Sequence, residues 1–233
     1  MIKTILAWHH LQETNKSFKM GKKTIIVGAG THGQIYASYL KEAGEEVIGF
    51  VDDNTTLIGS TVLGIPVLGS FNDLGKPNFK DKVESIFCPI GDNPIRENCL
   101  QAAHEWGYQT PSFIHPKAII GSDVILGQAN YVLAGSIIMP HTRIGDFFMI
   151  NMSTTIGHHV KIGNGVFMSS GVNVGANLTI EDHAYIGIGA TIMSSIGKLG
   201  KGCLIGAGSV VIRSVEPNTT VVGNPGRVIP RKN

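Results

Sequence analysis

Residues 151–174 read NMSTTIGHHVKIGNGVFMSSGVNV, and their large apolar residues fall six apart, at Ile156, Ile162, Met168 and Val174. Working outward, the spacing persists. Ile114, Ile120, Leu126, Val132, Ile138, Ile144 and Ile150 precede, and Ile180, Ile186 and Ile192 follow. One residue is then inserted, and the period resumes at Leu199, Ile205 and Val211. A small or branched residue often stands two places earlier, as at Ser136, Thr142, Thr154, Val160, Ala184 and Ala190. Neither a helical period of 3.6 nor a simple alternation yields this pattern. A hexapeptide period is the signature of a parallel β-helix. Each hexad supplies one short flat strand and one corner, and three hexads close a coil of eighteen residues. The apolar residue points inward and stacks on its equivalent about 4.8 Å along the axis. The pattern therefore predicts a triangular prism over residues 114–215, without fixing its hand.

Upstream, Thr24 to Val27 reads as a short apolar strand. It is followed by Gly28-Ala29-Gly30-Thr31-His32-Gly33, a helical pattern from Gln34 to Ala43, and a second strand from Val47 to Val51 that ends at Asp52-Asp53. Strand, glycine turn, helix, strand and acid stand in the order of a dinucleotide fingerprint. Gly28 permits the tight turn, Gly30 lets backbone approach a phosphate, and Gly33 lets the helix lie close to the sheet. The helix N-terminus offers unpaired N–H groups to an anion. Asp52 lies about where a ribose-binding acid would sit. Only some ninety residues precede the prism, however, which is half of a doubly wound sheet and room for one nucleotide. Ser85 to Pro89 reads as a later strand. Gly91-Asp92-Asn93-Pro94-Ile95-Arg96 then opens a helix running to Ala103. Arg96 is expected either to face a phosphate or to be solvated beside a helix capped by Asp92 or Asn93. The expected organisation is a terminal extension over 1–21, a Rossmann-like nucleotide-binding domain over 22–113, the prism over 114–215 and a tail over 216–233. Met20-Gly21-Lys22-Lys23 reads as a natural beginning. Ile2 to Trp8 is too short and too poorly flanked for a signal peptide.

Composition sets limits on partners. The 233 residues carry a formal net charge of +2, so no strong field draws nucleic acid or a membrane surface. No apolar run approaches a membrane span. Three scattered cysteines, Cys88, Cys99 and Cys203, have no metal spacing and suit a reducing cytoplasm.

Within the hexads few polar residues break the corner pattern; Asn151 and the pair His158-His159 stand out. Histidine is the side chain best able to take a proton near neutrality. His141 stands eighteen residues before His159, so the two should stack on adjacent coils, which opens a zinc reading.

Four motifs spanning much of the chain make a resemblance specific: GAGTHG after the first strand, FVDD at the second, IGDNPIR, and NMSTTIGH inside the hexads. The ending VGNPGRVI adds to them. Together they resemble the PglD/NeuD-like bacterial acetyltransferases that modify nucleotide-linked amino sugars and sialic acids. The resemblance implies a left-handed prism, a homotrimer, and acetyl-coenzyme A lying between adjacent prisms. It implies that His158 is the catalytic histidine and that Asn151 lies beside the acceptor sugar. Gly28, Gly30, Thr31, His32, Gly33, Asp52 and Asp53 match the nucleotide pocket, and Asp92 and Arg96 fall in its IGDNPIR motif. Ala176, Ile188 and Ala207 match positions whose backbone meets the acetyl-coenzyme A arm, and Arg227 a basic residue near its nucleotide end. Two departures stand out. His159 replaces the acid that often follows the catalytic histidine, and Phe167, counted with the cofactor-binding positions, stands where some relatives carry a second histidine; if that histidine helps hold the thioester, this chain must do so otherwise.

The function expected is N-acetylation of a nucleotide-linked amino sugar, with His158 as general base in direct attack and the Ala176 N–H on the oxyanion, a contact worth about 3 kcal/mol. His159 is expected to point to the other side of the chain if this segment is extended, with the alternative that it has taken over the orienting task of the missing acid. The competing expectations are sugar O-acetylation, a γ-type zinc hydratase with His141, His158 and His159 as ligands, and a nicotinamide oxidoreductase. A non-enzymatic scaffold leaves the glycine turn without a purpose. No metal is expected for the acetyltransferase.

Overall fold

A computed structural model describes residues 21–230. The segment before Gly21, read above as an extension, lies outside the described residues, as do residues 231–233.

In the N-terminal domain β1 (Lys23–Val27) pairs in parallel with β2 (Glu46–Val51) on one side. Between them runs α1 (Thr31–Glu42), which buries Tyr36, Ala37 and Leu40. A hairpin of β3 (Thr61–Val62) and β4 (Ile65–Pro66) follows, then a 3-10 turn at Phe71–Gly75 and the short α2 (Pro77–Lys80). β5 (Ser85–Phe87) closes the three-stranded parallel sheet against the other side of β1. It is followed by α3 (Asn93–Glu105).

The hexads fold as expected, into a left-handed β-helix of short parallel strands. Partners stand eighteen residues apart, as in Thr155↔Asn173 and Ile156↔Val174. Three faces result, of eight, six and five strands. Phe113–Ile114, in the stretch between the domains, already forms the first strand of the eight-stranded face. Ile138, Ile150, Ile156, Met168, Ile180, Ile186, Leu199 and Ile205 fill the interior with almost no exposure. The small positions are buried too, and their hydroxyls are satisfied. Ser136, Thr142 and Thr154 donate to carbonyls fifteen residues on, at 3.1, 2.9 and 3.0 Å. The inserted residue is absorbed where Ser195 and Gly197 both take positive φ, shifting the pairing there from eighteen to nineteen.

Most corners turn on a residue with positive φ, and these residues stack from coil to coil. Ala129, Phe147, Gly165 and His183 form the edge between the five- and eight-stranded faces. Gly135, Ser153, Gly171 and Gly189 form the edge between the eight- and six-stranded faces. His141, His159, Asn177 and Ser195 form the third edge, between the six- and five-stranded faces.

The N-terminal domain docks on the eight-stranded face and the edge led by Ala129. Tyr36 packs 5.9 Å from Phe113 and 5.4 Å from Tyr131, whose hydroxyl accepts the Cys88 N–H at 3.0 Å. Arg96 corrects both expectations held for it: its side chain is 0% exposed. Its Nε donates to the Phe147 carbonyl at 3.0 Å. Nη1 reaches Ile90 at 2.8 Å, and Nη2 reaches Gly165 and Asn93 Oδ1, both at 2.9 Å. Asn93 Nδ2 extends the grip to the His183 carbonyl at 3.0 Å. Phe147, Gly165 and His183 are three successive corners whose carbonyls the backbone ladder does not pair. A guanidinium presents several donors in a fixed fork, and here the repeat supplies matching acceptors. Burial pulls its pKa below the ordinary range. The cation is thus a clamp between domains, with neither a phosphate nor solvent against it.

Candidate active site

Gly28 and Gly33 have the geometry that the turn's motif demands. Gly28 has φ +92°, a conformation that side chains rarely adopt. A Cβ at Gly33 would overlap the Gly28 carbonyl, so α1 can lie this close to β1 only with glycine there. Gly30 faces open space. Together with Thr31, His32, Pro89, Ile90 and Gly91 they line a cavity of about 220 Å³ at the N-terminus of α1, whose first turn contains no acid. Burial, and secondarily the Arg96 cation, hold the His32 imidazole below its ordinary pKa.

The acids nearby brace loops. Asp52 accepts the Ala29 N–H at 2.8 Å with one oxygen and the Asn54 N–H at 2.8 Å with the other. Asp53 accepts the Phe71 N–H at 2.9 Å. Asp92 caps α3, accepting the Ile95 N–H at 3.0 Å. It also lines an adjoining cavity of about 670 Å³ with Gly91, Tyr185 and Lys201. Phe167 needs correction as a cofactor contact. Its ring is 2% exposed, packed 6.2 Å from His32 and 4.9 Å from Tyr185, so it forms the floor between the domains.

His158 sits at another edge, the one led by His141. It is half-buried, and its Nδ1 lies 2.9 Å from Nδ1 of His159. The expectation that His159 points away is wrong. With φ +57° its backbone is left-handed, so the alternation of an extended strand does not apply. The His159 ring lies 4.6 Å from that of His141, and His141 pairs through Nδ1 with Asp123. Asp123, His141 and His159 are eighteen residues apart in turn. Sequence reasoning paired the two histidines and missed the acid one coil earlier, which the same spacing points to. Among the described residues, no group of three or more His, Cys, Asp and Glu side chains is arranged to hold a metal ion.

Asn151 lies at the edge led by Gly135. It is 8% exposed, and its buried Oδ1 has no hydrogen-bond partner among the described residues. Ile188 and Ala207 lie at the same edge, both exposed, and Arg227 is exposed near the end of the chain. Ala176 belongs to the His158 edge, one coil on. Its N–H already donates to Ser194 Oγ at 3.0 Å, which corrects the expectation of a free oxyanion donor at that amide. One chain therefore keeps the glycine pocket on its N-terminal domain, and Asn151 and His158 on two different edges of the prism.

The PglD N-terminal domain family matches residues 23–103. A GDP-perosamine N-acetyltransferase of Escherichia coli O157:H7 is 30% identical over 218 residues, covering 88% of this chain and 96% of that protein. Among solved structures, PerB from Caulobacter crescentus in complex with CoA and GDP-perosamine superposes with a TM-score of 0.83 at 27% identity. That match covers 92% of this chain and 100% of the other. The acetyltransferase domain of PglB from Neisseria gonorrhoeae FA1090, in complex with acetyl coenzyme A, gives 0.81 at 28%, covering 90% and 100%. These similarities run through both domains, and the chain belongs to the PglD/NeuD-like family of acetyltransferases.

Proposed function

We propose that the protein transfers the acetyl group of acetyl-coenzyme A to the amine of a nucleotide-linked amino sugar, with His158 as general base. The observation that carries this reading is the placement of His158. Its imidazole is half-exposed at a prism edge, one ring nitrogen is engaged by His159, and Nε2 makes no hydrogen bond to any described residue. A base needs one nitrogen held and the other open. The amine attacks the thioester carbonyl carbon while its proton passes to Nε2. The tetrahedral oxyanion then collapses and expels the coenzyme A thiolate, which the His158 proton neutralises. For the Ala176 N–H to serve the oxyanion, the Ser194 hydroxyl must rotate away. The relatives that bind GDP-perosamine and CoA support the choice of both substrates.

The nucleotide would occupy the glycine pocket, its phosphate against the α1 N-terminus. Because that pocket lies against the eight-stranded face, its sugar would meet His158 of a neighbouring copy in a homotrimer. The exposed apolar residues support such packing. Ile119 and Ile137 stand on the six-stranded face, and Met139, Met193, Ile212, Met152 and Ile188 along its two edges. Asn151 Oδ1, buried and unpartnered in one chain, would accept a hydrogen bond from the acceptor sugar once the edges meet.

The test is His158→Ala, assayed with a panel of UDP-, GDP- and dTDP-linked amino sugars. The loss of kcat should be roughly 10²- to 10⁴-fold, with coenzyme A and nucleotide-sugar affinity little changed. Wild-type turnover in this variant would refute the base.

A further inference from the structure

The carboxylate that orients a catalytic imidazole in many enzymes has no counterpart in direct contact with His158 here. The contact made instead is imidazole to imidazole, Nδ1 to Nδ1 at 2.9 Å. From this we infer that His159 is the positioning residue for the base, and that Asp123 and His141 hold it in place. The inference rests on the reading of His158 as general base.

The proton arithmetic is restrictive. Two Nδ1 atoms at that distance hold a single proton between them. For His158 to accept a proton at Nε2, Nδ1 must already carry one, so His159 must present a lone pair at its Nδ1 and keep its own proton on Nε2. That is the tautomer logic of a triad, with a neutral acceptor in place of the acid. A second proton on the pair would set N–H against N–H and break the contact.

The His159 ring is held from one coil below. His141 packs 4.6 Å away with its ring tilted by 45°. Asp123 fixes His141 twice, accepting its backbone N–H at 2.9 Å and pairing with Nδ1. The prism's eighteen-residue coil brings positions 123, 141 and 159 into one column, and left-handed backbone at 141 and 159 turns both rings along it. Beside the column, Asp123, His141, Arg143, His159 and Lys161 line a cleft of about 330 Å³. The charged and titratable groups that share this cleft with His159 are therefore Asp123, His141, Arg143 and Lys161. Two cations and one anion line it, and none of them changes when residue 159 alone is replaced.

The experiment compares His158→Ala, His159→Ala, His159→Gln, His159→Glu and Asp123→Asn, each checked for assembly. It measures kcat, KM and the pH dependence of kcat/KM. His159→Ala should lose about 10- to 100-fold in kcat with KM within about twofold, the usual scale for an outer partner of a reacting group. Water can still accept from Nδ1, so the loss stays below that of His158→Ala. His159→Gln and His159→Glu each restore an acceptor and should recover most of the rate. Only the Glu variant places a negative charge beside the imidazole. Its acid limb should therefore lie about one pH unit or more above that of the Gln variant. Asp123→Asn should cost severalfold in kcat, since it loosens His141 and not the base. If His159→Ala matches wild type in kcat and pH profile while His158→Ala is inactive, the positioning role is wrong and the base stands. Should the Gln and Glu variants share one acid limb, position 159 does not touch the base. Full activity in His158→Ala would overturn both readings.

Discussion

Two edges of the same prism, built from corners eighteen residues apart, differ in what covers them. Along Phe147, Gly165 and His183 the repeat offers three stacked carbonyls, and a buried Arg96 with Asn93 captures them, joining the domains. Along Asp123, His141 and His159 the repeat offers three stacked side chains at the surface, the last of which meets His158. The backbone is nearly the same in both. What differs is whether a neighbouring element covers the corner. A covered corner presents its carbonyls to a buried cation, where removal leaves acceptors unpaired. An open corner leaves imidazoles free to exchange protons. On the proposed function, stability is invested at the first edge and chemistry at the second.

The comparison breaks most clearly if the two edges trade phenotypes. Arg96→Met should leave the Phe147, Gly165 and Ile90 carbonyls without their donor, at about 1–3 kcal/mol for each buried unpaired group. A net loss of about 3–5 kcal/mol should appear in denaturant unfolding, with Tm lower by roughly 6–20 °C. His158→Ala and His159→Ala should instead stay within about 0.5 kcal/mol of wild type while losing rate. A thermally unchanged Arg96→Met would show that the clamp is not what joins the domains.

Smaller effects sharpen the picture inside the N-terminal domain. Gly33→Ala places a methyl against the Gly28 carbonyl and should destabilise by about 1–3 kcal/mol. Gly30 has extended backbone, and its added side chain would meet only open space. Gly30→Val should therefore fold normally yet raise the nucleotide-sugar KM about tenfold or more by occupying the place proposed for the phosphate. An unchanged KM would make the turn purely structural.

Most of the fold was legible because the hexad rule is strict. Fourteen apolar residues in register admit few alternatives, and a one-residue insertion shows at once. The glycine turn was legible for a similar reason at Gly28 and Gly33, which answer distinct steric demands. Arg96 was not legible. Its partners are main-chain carbonyls of corners fifty to seventy residues away, and only the docking of α3 brings them together. His159 was misread because alternation assumes extended backbone, and a corner is where that assumption fails. Asp123 could have been found by stepping back eighteen from His141. An exposed acid at a corner carries no local mark to prompt that step. The Ala176 N–H was expected to be free because a sequence does not reveal that Ser194, one coil on, returns to it.

The central claim is that the glycine pocket of one chain serves His158 of another. It is tested most directly by co-expressing His158→Ala and Gly30→Val chains and measuring acetyl transfer by the mixed trimers. Each variant alone should be nearly inactive at low nucleotide-sugar concentration. In a random one-to-one mixture, about one interface in four joins an intact pocket to an intact His158, by the closed symmetry of a trimer. The account predicts recovery to about a quarter of wild-type activity. Activity no greater than the sum of the two parents, with mixed trimers confirmed, would mean that pocket and base act within one chain, and would contradict it.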